Sequence, residues 1–484
     1  MNNSQEETPL LTQLKILANK QDAPFYTPGH KKGQGIGEQF KELMGEKAFR
    51  MDLPELPELD NLFAPEGVIK DAQSLASMAF GAQETRFLAN GSTSGIIASI
   101  LATCGEGDKI ILPRNIHQSA IFGLILSGAT PIFINPEYNP DFDLCYTLSS
   151  AQIEEALTTN DNVKAVMVVS PTYHGICANL TEIAYVTHNF TIPLVVDSAH
   201  GAHFSFHSQL PRSSLQCGAD IAIESTHKVL GAMTQASMLH LQGNLIDVDR
   251  LNQCLQMVQS SSPSYILLAS LDSARQQMAL QGEALLTNTI NLAKIARNEI
   301  KKLEYLSLLE LVEPQENFFD LDITRLTINA QKLGLTGFEV DTILDKKFGV
   351  TCELPSLSHL TFIISIGNTL QDIERLINSL KSLKVYEKNN VNSNQINTIK
   401  QSKSIFKMSP REAFFAKKKV VTKNLAINQV SAENICPYPP GIPLIMAGEI
   451  ITEEALIYLE EISNSGGIIT GVSDSSLATF KVIN

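Results

Sequence analysis

Short β-prone runs alternate with helical segments over the first three hundred or so residues, so the chain reads as an α/β protein with a mostly parallel central sheet. Three stretches carry this reading. The run Arg86-Phe87-Leu88 gives way to a Gly/Ser/Thr turn, Asn90 to Gly95, and then to an apolar helix start. The run Pro193 to Val196 ends in Asp197. The run Asp220 to Ile223 turns abruptly polar at Glu224-Ser225-Thr226-His227-Lys228. In open α/β sheets, ligands bind beyond the carboxyl ends of strands, and each stretch places polar groups there.

The last two stretches complement one another chemically. A lysine in an apolar site loses favour for its charged form, so its amine becomes available to form a Schiff base with an aldehyde. Pyridoxal phosphate needs such a lysine, and it needs a carboxylate for its pyridinium nitrogen. Lys228 and Asp197 are of the right types, about 30 residues apart, as a βαβ unit would place them on neighbouring strands. Ser225 and His227 offer donors for an anionic group. Ala199 fits a small side chain packed under a flat ring, and His200 is expected to help position ring or substrate. A lone lysine after a strand is ordinarily a solvated one; the aspartate upstream is what favours chemistry.

Composition narrows the class. The chain has 484 residues, too many for one compact core, and two or three domains are expected. Asp+Glu total 51 against Lys+Arg 37, a net charge of −14, which argues against a nucleic-acid surface. The 7 cysteines are scattered without a CxxC pair or metal-ligand spacing, so no metal is expected and the thiols read as reduced. No signal-peptide pattern and no transmembrane-length apolar run is found; the chain reads as cytoplasmic, without membrane attachment.

Taken in order, Thr8 to Asn19 reads as an amphipathic helix through Leu10, Leu14 and Leu17. The loop Phe25-Tyr26-Thr27-Pro28-Gly29-His30-Lys31-Lys32-Gly33 and the acidic Asp52 to Leu62 stretch follow, both too rich in proline or glycine for regular helix. Ile69 to Phe80 reads as a helix. Backbone N–H groups at Ser92-Thr93-Ser94 would lie at the positive end of a helix, a good phosphate site, although serine and threonine are also ordinary N-caps. Strands are expected at Lys109 to Leu112, Pro131 to Ile134, Val163 to Val169 and Ser237 to Leu241. Helices are expected at Ala120 to Ser127, from Ile153, and at Leu180 to Asn189. After the polar turn Gln259 to Ser264, helices are expected at Ile266 to Leu280 and from Ala284 to about Leu303. Strands at Leu306 to Leu311, Leu321 to Ile328 and Leu360 to Ile366, with helices at Gly337 to Asp345 and Thr369 to Leu383, suit a small α+β domain.

These motifs in this order resemble the bacterial Orn/Lys/Arg decarboxylase family. The resemblance is carried by FYTPGHKKG, the D-x-x-E-L-x-x-L-D-like segment from Asp52, NGSTS from Asn90, RNIHQS from Arg114, SPTYHG from Ser170, DSAHGAH from Asp197, STHK from Ser225, SSPSY from Ser261, SPREAFF from Ser409 and YPPGIPL from Tyr438. It implies an aspartate-aminotransferase-like (type I) pyridoxal-phosphate fold, with a small α+β domain and a C-terminal domain. The expected organisation is an N-terminal arm at 1–30, a cofactor-binding large domain at 31–303, a small domain at 304–385, a linker at 386–405 and a C-terminal domain at 406–484.

The resemblance also implies roles. Lys228 would hold pyridoxal 5'-phosphate, Asp197 would keep its ring nitrogen protonated, and His117 would stack on the ring. Ser92 and Thr93 would bind its phosphate. Ser261 would reach a neighbouring subunit's phosphate, so a homodimer or higher homo-oligomer with a shared site is expected. Catalytic roles fall to Lys228, His117 and His200. The substrate is expected to be a basic amino acid. Arginine is preferred, because the chain matches the family's shorter members; lysine or ornithine is the alternative. Glu412, Asp60 and Glu449 are candidate partners for its distal cation. An aminotransferase or lyase of the same fold and a non-catalytic cofactor-binding homologue are the competing classes. The family often has proline where Ala447 stands.

Overall fold

The computed structural model describes residues 4–388 and 405–484, so the linker expected at 386–405 lies almost entirely outside the described residues. The chain divides into two compact units. The first comprises Met1–Thr103 with Pro193–Leu286, and the second Cys104–Ile192 with Thr287–Asn484.

In the first unit four strands lie in the order Glu84–Leu88, Ser237–Leu241, Ile221–Glu224, Leu194–Asp197. The first two junctions are antiparallel. The last is parallel and pairs Val195 with Ile221 and Asp197 with Ile223. Both strands of that parallel pair are buried along their whole length, which explains their continuous apolar runs. The helix Gly91–Thr103 approaches this layer closely. A Cβ on Gly95 would come within 2.7 Å of Leu88 Cδ1 and 3.0 Å of Ile223 Cγ2, so a larger residue would force those side chains to shift.

The N-terminal helix, Pro9–Ala18, buries the expected stripe of Leu10, Leu14 and Leu17. Its free N-terminal N–H groups are capped from a distance. Asp272 Oδ2 accepts from Leu10 N at 3.0 Å and from Leu11 N at 3.2 Å. The two helices expected around 266–303 are one 36-residue helix, Tyr265–Ile300. Gly282 does not end it, because a Cβ there would lie 3.1 Å from Phe206 Cβ and from Met278 Cε; the glycine marks a close approach and not a stop.

In the second unit, Val163–Val169, Lys109–Pro113 and Thr130–Ile134 form parallel pairs, with Lys109–Pro113 between the other two. An antiparallel sheet in the order Ser307–Leu308, Arg325–Asn329, His359–Ile363, Leu354–Pro355 carries the helices Gly337–Ile343 and Leu370–Ser382. Its core gathers Leu326, Ile328, Leu360, Val340 and Leu376. The strand expected at Leu321–Ile328 is in fact two, Asp320–Leu321 and Arg325–Asn329. Asp322 Oδ1 accepts from Thr324 N at 3.0 Å and from Thr324 Oγ1 at 2.6 Å, closing a side-chain turn that breaks the run.

Residues beyond 405 build a further core of Ile435, Ile451, Leu456, Leu459 and Phe480. The helix Glu453–Asn464 and the paired strands Lys418–Thr422 and Thr479–Ile483 frame it. No helix among the described residues is long and apolar enough to cross a membrane.

Candidate active site

Most of the expected site residues gather at the carboxyl ends of the parallel strands Leu194–Asp197 and Ile221–Glu224. Lys228 lies on the single helical turn Thr226–Val229, and its Nζ is 2.9 Å from His200 Nε2. Asp197 is 4 % exposed, and its Oδ1 accepts from Ala199 N at 3.2 Å. Burial raises the Asp197 pKa, while the charge of Lys228 and the Ala199 N–H pull it back. A buried carboxylate balanced by one lysine is set to receive a second cationic N–H, the role a pyridinium nitrogen would fill.

The turn expected to hold a phosphate opens directly into a helix. Gly91 adopts φ +74°, which lets the strand turn straight into the helix Gly91–Thr103 and leaves its first N–H groups without intrahelical acceptors. Ser225, fully buried, donates its hydroxyl to Ser92 Oγ at 2.8 Å. That leaves the hydroxyl proton of Ser92 for an outside acceptor, with Ser225 behind it as support. Thr93 is exposed at the helix start. Ser94 is instead turned inward, bonding to Gly91 O at 2.8 Å.

His227 is half-buried, and burial lowers its pKa. Its Nδ1 lies 2.9 Å from Ala236 O, so Nδ1 carries the proton of the neutral ring. Nε2 can therefore donate to an anion only once the ring is protonated, which a phosphate dianion would promote. Ser261 is exposed in the turn Ser260 to Ser262. That turn is tied to its own chain: Ser260 N donates to Asn90 Oδ1 at 3.2 Å, and Ala89 N donates to Gln259 Oε1 at 2.9 Å. The residues Asp197, Lys228, Ser92, Thr93 and Ala199 thus fit pyridoxal phosphate in charge, burial and hydrogen-bond direction.

His117 belongs to the second unit. It caps the helix Gln118–Ser127, with Ser119 N donating to Nδ1 at 3.2 Å and Ser119 Oγ 2.8 Å away. Accepting the backbone N–H at Nδ1 puts the proton of the neutral ring on Nε2.

The three acids considered for the substrate cation are all engaged elsewhere. Asp60 accepts from the backbone N–H groups of Asn61 and Glu66 on one oxygen and of Gly67, Ile69 and Lys70 on the other. Burial alone would raise its pKa, but those bonds outweigh it and hold the carboxyl below its usual range. Glu449 is 3 % exposed and clamps Arg114 through both oxygens, at 2.9 and 2.7 Å. Glu412 closes a capping box with Ser409.

Residue-by-residue reading missed two acids. Glu55, in the same segment as Asp60, has one oxygen, Oε2, that accepts from Asn61 at 3.2 Å, while its buried Oε1 has no hydrogen-bond partner. Burial raises its pKa. Glu224, immediately before Ser225, is 2 % exposed and lies 3.5 Å from His240 Nε2, with His240 Nδ1 2.8 Å from Thr85 Oγ1. The only sequence signal for Glu224 was a charged residue ending an apolar run.

Comparison with known proteins bears on the family and the fold. The family model "Orn/Lys/Arg decarboxylase, major domain" matches residues 8–372, and its C-terminal domain counterpart matches 393–471. An arginine decarboxylase of Bacillus subtilis (strain 168) is 38% identical over 482 residues, 99% of this chain and 98% of the relative. One of Bacillus anthracis is 37% identical over 483 residues, with the same coverage. Among solved structures, the Francisella novicida lysine decarboxylase LdcF superposes with a TM-score of 0.83 at 24% identity, covering 99% of this chain and 81% of the other. At that identity the likeness speaks for the fold alone, which is the type I pyridoxal-phosphate fold.

Proposed function

The chain belongs to the Orn/Lys/Arg decarboxylase family, a pyridoxal-phosphate-dependent one, and on that premise we propose that it converts L-arginine to agmatine and CO2. The observation that carries the chemistry is the contact of Lys228 Nζ with His200 Nε2 at 2.9 Å, beside the buried Asp197. The preference for arginine is supported by the relatives of that name, which match along the full chain. Agmatine would feed polyamine biosynthesis.

When bound, pyridoxal phosphate supplies an aldehyde for amines and a conjugated ring that accepts the electron pair left by a departing carboxylate. The chain's own residues do the rest. Asp197 holds the proton on the ring nitrogen. The N-terminus of the helix Gly91–Thr103, with Ser92 and Thr93 and the backing of Ser225, binds the phosphate; His227 adds a donor once charged. Ala199 leaves room for the flat ring. The Cα–carboxylate bond breaks, CO2 leaves, and a proton is added at Cα. Lys228 Nζ, in hydrogen-bond contact with His200, is placed to hold and deliver that proton.

A guanidinium needs an acidic partner. With Asp60, Glu449 and Glu412 engaged, we assign that role to Glu55, whose buried Oε1 is unpaired. Leaving such an oxygen unpaired is costly, and an incoming cation would relieve the cost. Glu55→Gln is expected to raise KM for arginine at least tenfold while moving kcat less; an unchanged KM would remove Glu55 from this role. The exposed Ser260 to Ser262 turn supports a shared site in a homodimer, with Ser261 offered to the partner. The scattered cysteines, without a CxxC pair, fit a reducing cytoplasm.

The decisive assay supplies cofactor-loaded protein with arginine, lysine and ornithine separately, follows CO2 and identifies the amine. Agmatine from arginine, with little product from the others, is expected. Cadaverine or putrescine instead would keep the chemistry and overturn the substrate. No CO2 from any of them would point to another reaction of the fold.

A further inference from the structure

The C-terminal part of the chain grips the loop around His117 at several points. Arg114, three residues before His117, is 7 % exposed, and its guanidinium bonds to one stretch of C-terminal sequence at four points. Nε and Nη2 donate to the two oxygens of Glu449 at 2.9 and 2.7 Å. Nη1 donates to Pro443 O at 2.7 Å, and Nη2 also to Leu444 O at 3.1 Å. Glu449 is fixed in turn by Met446 N at 2.7 Å. On the other side of the loop, Gln118 N donates to Gly441 O at 3.1 Å.

The sharpest contact is Gly441 itself. Its φ is +81°, and a Cβ built there would sit 3.3 Å from His117 Nε2 and 3.5 Å from His117 Cδ2. The glycine thus lets the C-terminal segment lie against the edge of the imidazole that bears the proton. Ser119 fixes the opposite edge through Nδ1. A ring bonded at Nδ1 and closely approached by backbone at the opposite edge, on a loop held by a buried bidentate ion pair, has little room to turn.

We propose that Gly441 and the Arg114–Glu449 pair are positioning residues for His117, so that the C-terminal domain sets the orientation of its ring. The proposal rests on the reading that His117 stacks on pyridoxal phosphate. It gives the C-terminal domain a part in the reaction that none of its own side chains would play by touching substrate.

A double-mutant cycle tests it on the full-length, cofactor-loaded protein. Gly441→Ala, His117→Ala and the double variant are compared by the circular-dichroism band of the bound cofactor, by cofactor dissociation constant and by kcat. Gly441→Ala is expected to alter the band and lower kcat at least tenfold in the parent, but by less than twofold where His117 is already alanine. The positive φ would strain any alanine in both backgrounds, so an equal loss in both would mean strain alone and overturn the proposal. Glu449→Gln, which keeps the shape and removes the charge, serves if Gly441→Ala does not fold, and should show the same non-additivity. A spectrum and rate sensitive to His117→Ala but indifferent to both brace variants would sink the inference and spare the reading beneath it. Indifference to His117→Ala as well would sink both.

Discussion

At the scale of single residues, the chemistry was legible because it depends on residue type at strand ends, and strand ends are visible as changes from apolar to polar sequence. Lys228 and Asp197 stand out that way, and the structure places the strands leading to them side by side in parallel. What could not be read was which polar groups already have partners. Asp60, Glu449 and Glu412 looked equally available, yet each is engaged: Asp60 and Glu412 by nearby backbone groups, and Glu449 by Arg114 more than three hundred residues away. A sequence shows which groups can pair, and only the tertiary structure shows which have done so. Asp197→Asn follows from the same reasoning. The amide is similar in shape but carries no negative charge to keep a ring nitrogen protonated. We expect kcat to fall by roughly 100-fold or more, with cofactor still bound through Lys228 and the phosphate turn. Retention of both the cofactor absorbance and near-normal turnover would remove Asp197 from the mechanism. Lys228→Ala should cost more, since on the proposed mechanism the amine serves both cofactor attachment and proton delivery.

At the scale of elements, periodicity placed most helices and strands, and failed where a side chain overrides it. The Leu321–Ile328 run has strand composition throughout, but Asp322 bonds to Thr324 and splits it. Gly282 looks like a break but is a contact. The N-terminal helix shows the converse, an element whose pattern was plain but whose anchoring was invisible. Asp272 caps it, and Arg275, fully buried, pairs with Asp272 Oδ1 at 2.5 Å while donating to the carbonyls of Gln5 at 2.9 Å and Glu7 at 2.6 Å. Asp272→Ala would strip the cap and leave a buried guanidinium without its counter-charge, a loss of about 3–5 kcal/mol. That loss should appear locally, as release of the first twenty or so residues to limited proteolysis before the rest of the chain is cut. The double change Asp272→Leu with Arg275→Met should recover part of it, because removing both charges costs less than orphaning one. An N-terminus equally resistant in the single variant would show that the apolar stripe of Leu10, Leu14 and Leu17 suffices.

At the scale of the whole molecule, the second unit carries buried titratable groups that pull its acid stability in opposite directions. His174 and His359 meet edge to face at 4.8 Å. Burial lowers both pKa values, His359 to about 4, and in His174 the neighbouring His359 adds to the effect. Their unfolded pKa is about 6.5. The unfolded chain therefore binds the extra protons first, and the stability these rings contribute is present above pH of about 6.5 and lost as pH falls toward about 4. Asp143 acts the other way. Burial raises it to about 6, against hydrogen bonds from Tyr138 and Tyr458 and with the help of Glu461. Tyr138 Oη lies 2.6 Å from Oδ1 and Tyr458 Oη 3.1 Å from Oδ2, so the group joins the Tyr138 to Cys145 hairpin to the helix Glu453–Asn464. Its contribution is present below the unfolded value of about 3.9 and is lost as pH rises through about 6. The two effects share one pH window with opposite slopes, and a wild-type profile alone would hide both. Substitution separates them. His359→Gln should lower the unfolding midpoint near neutrality and flatten its decline between pH 6.5 and 4. Asp143→Asn should steepen that decline, because a group favouring the acid side has been silenced. If both variants keep the parent slope, neither group titrates differently on folding, and the acid limb belongs to other residues.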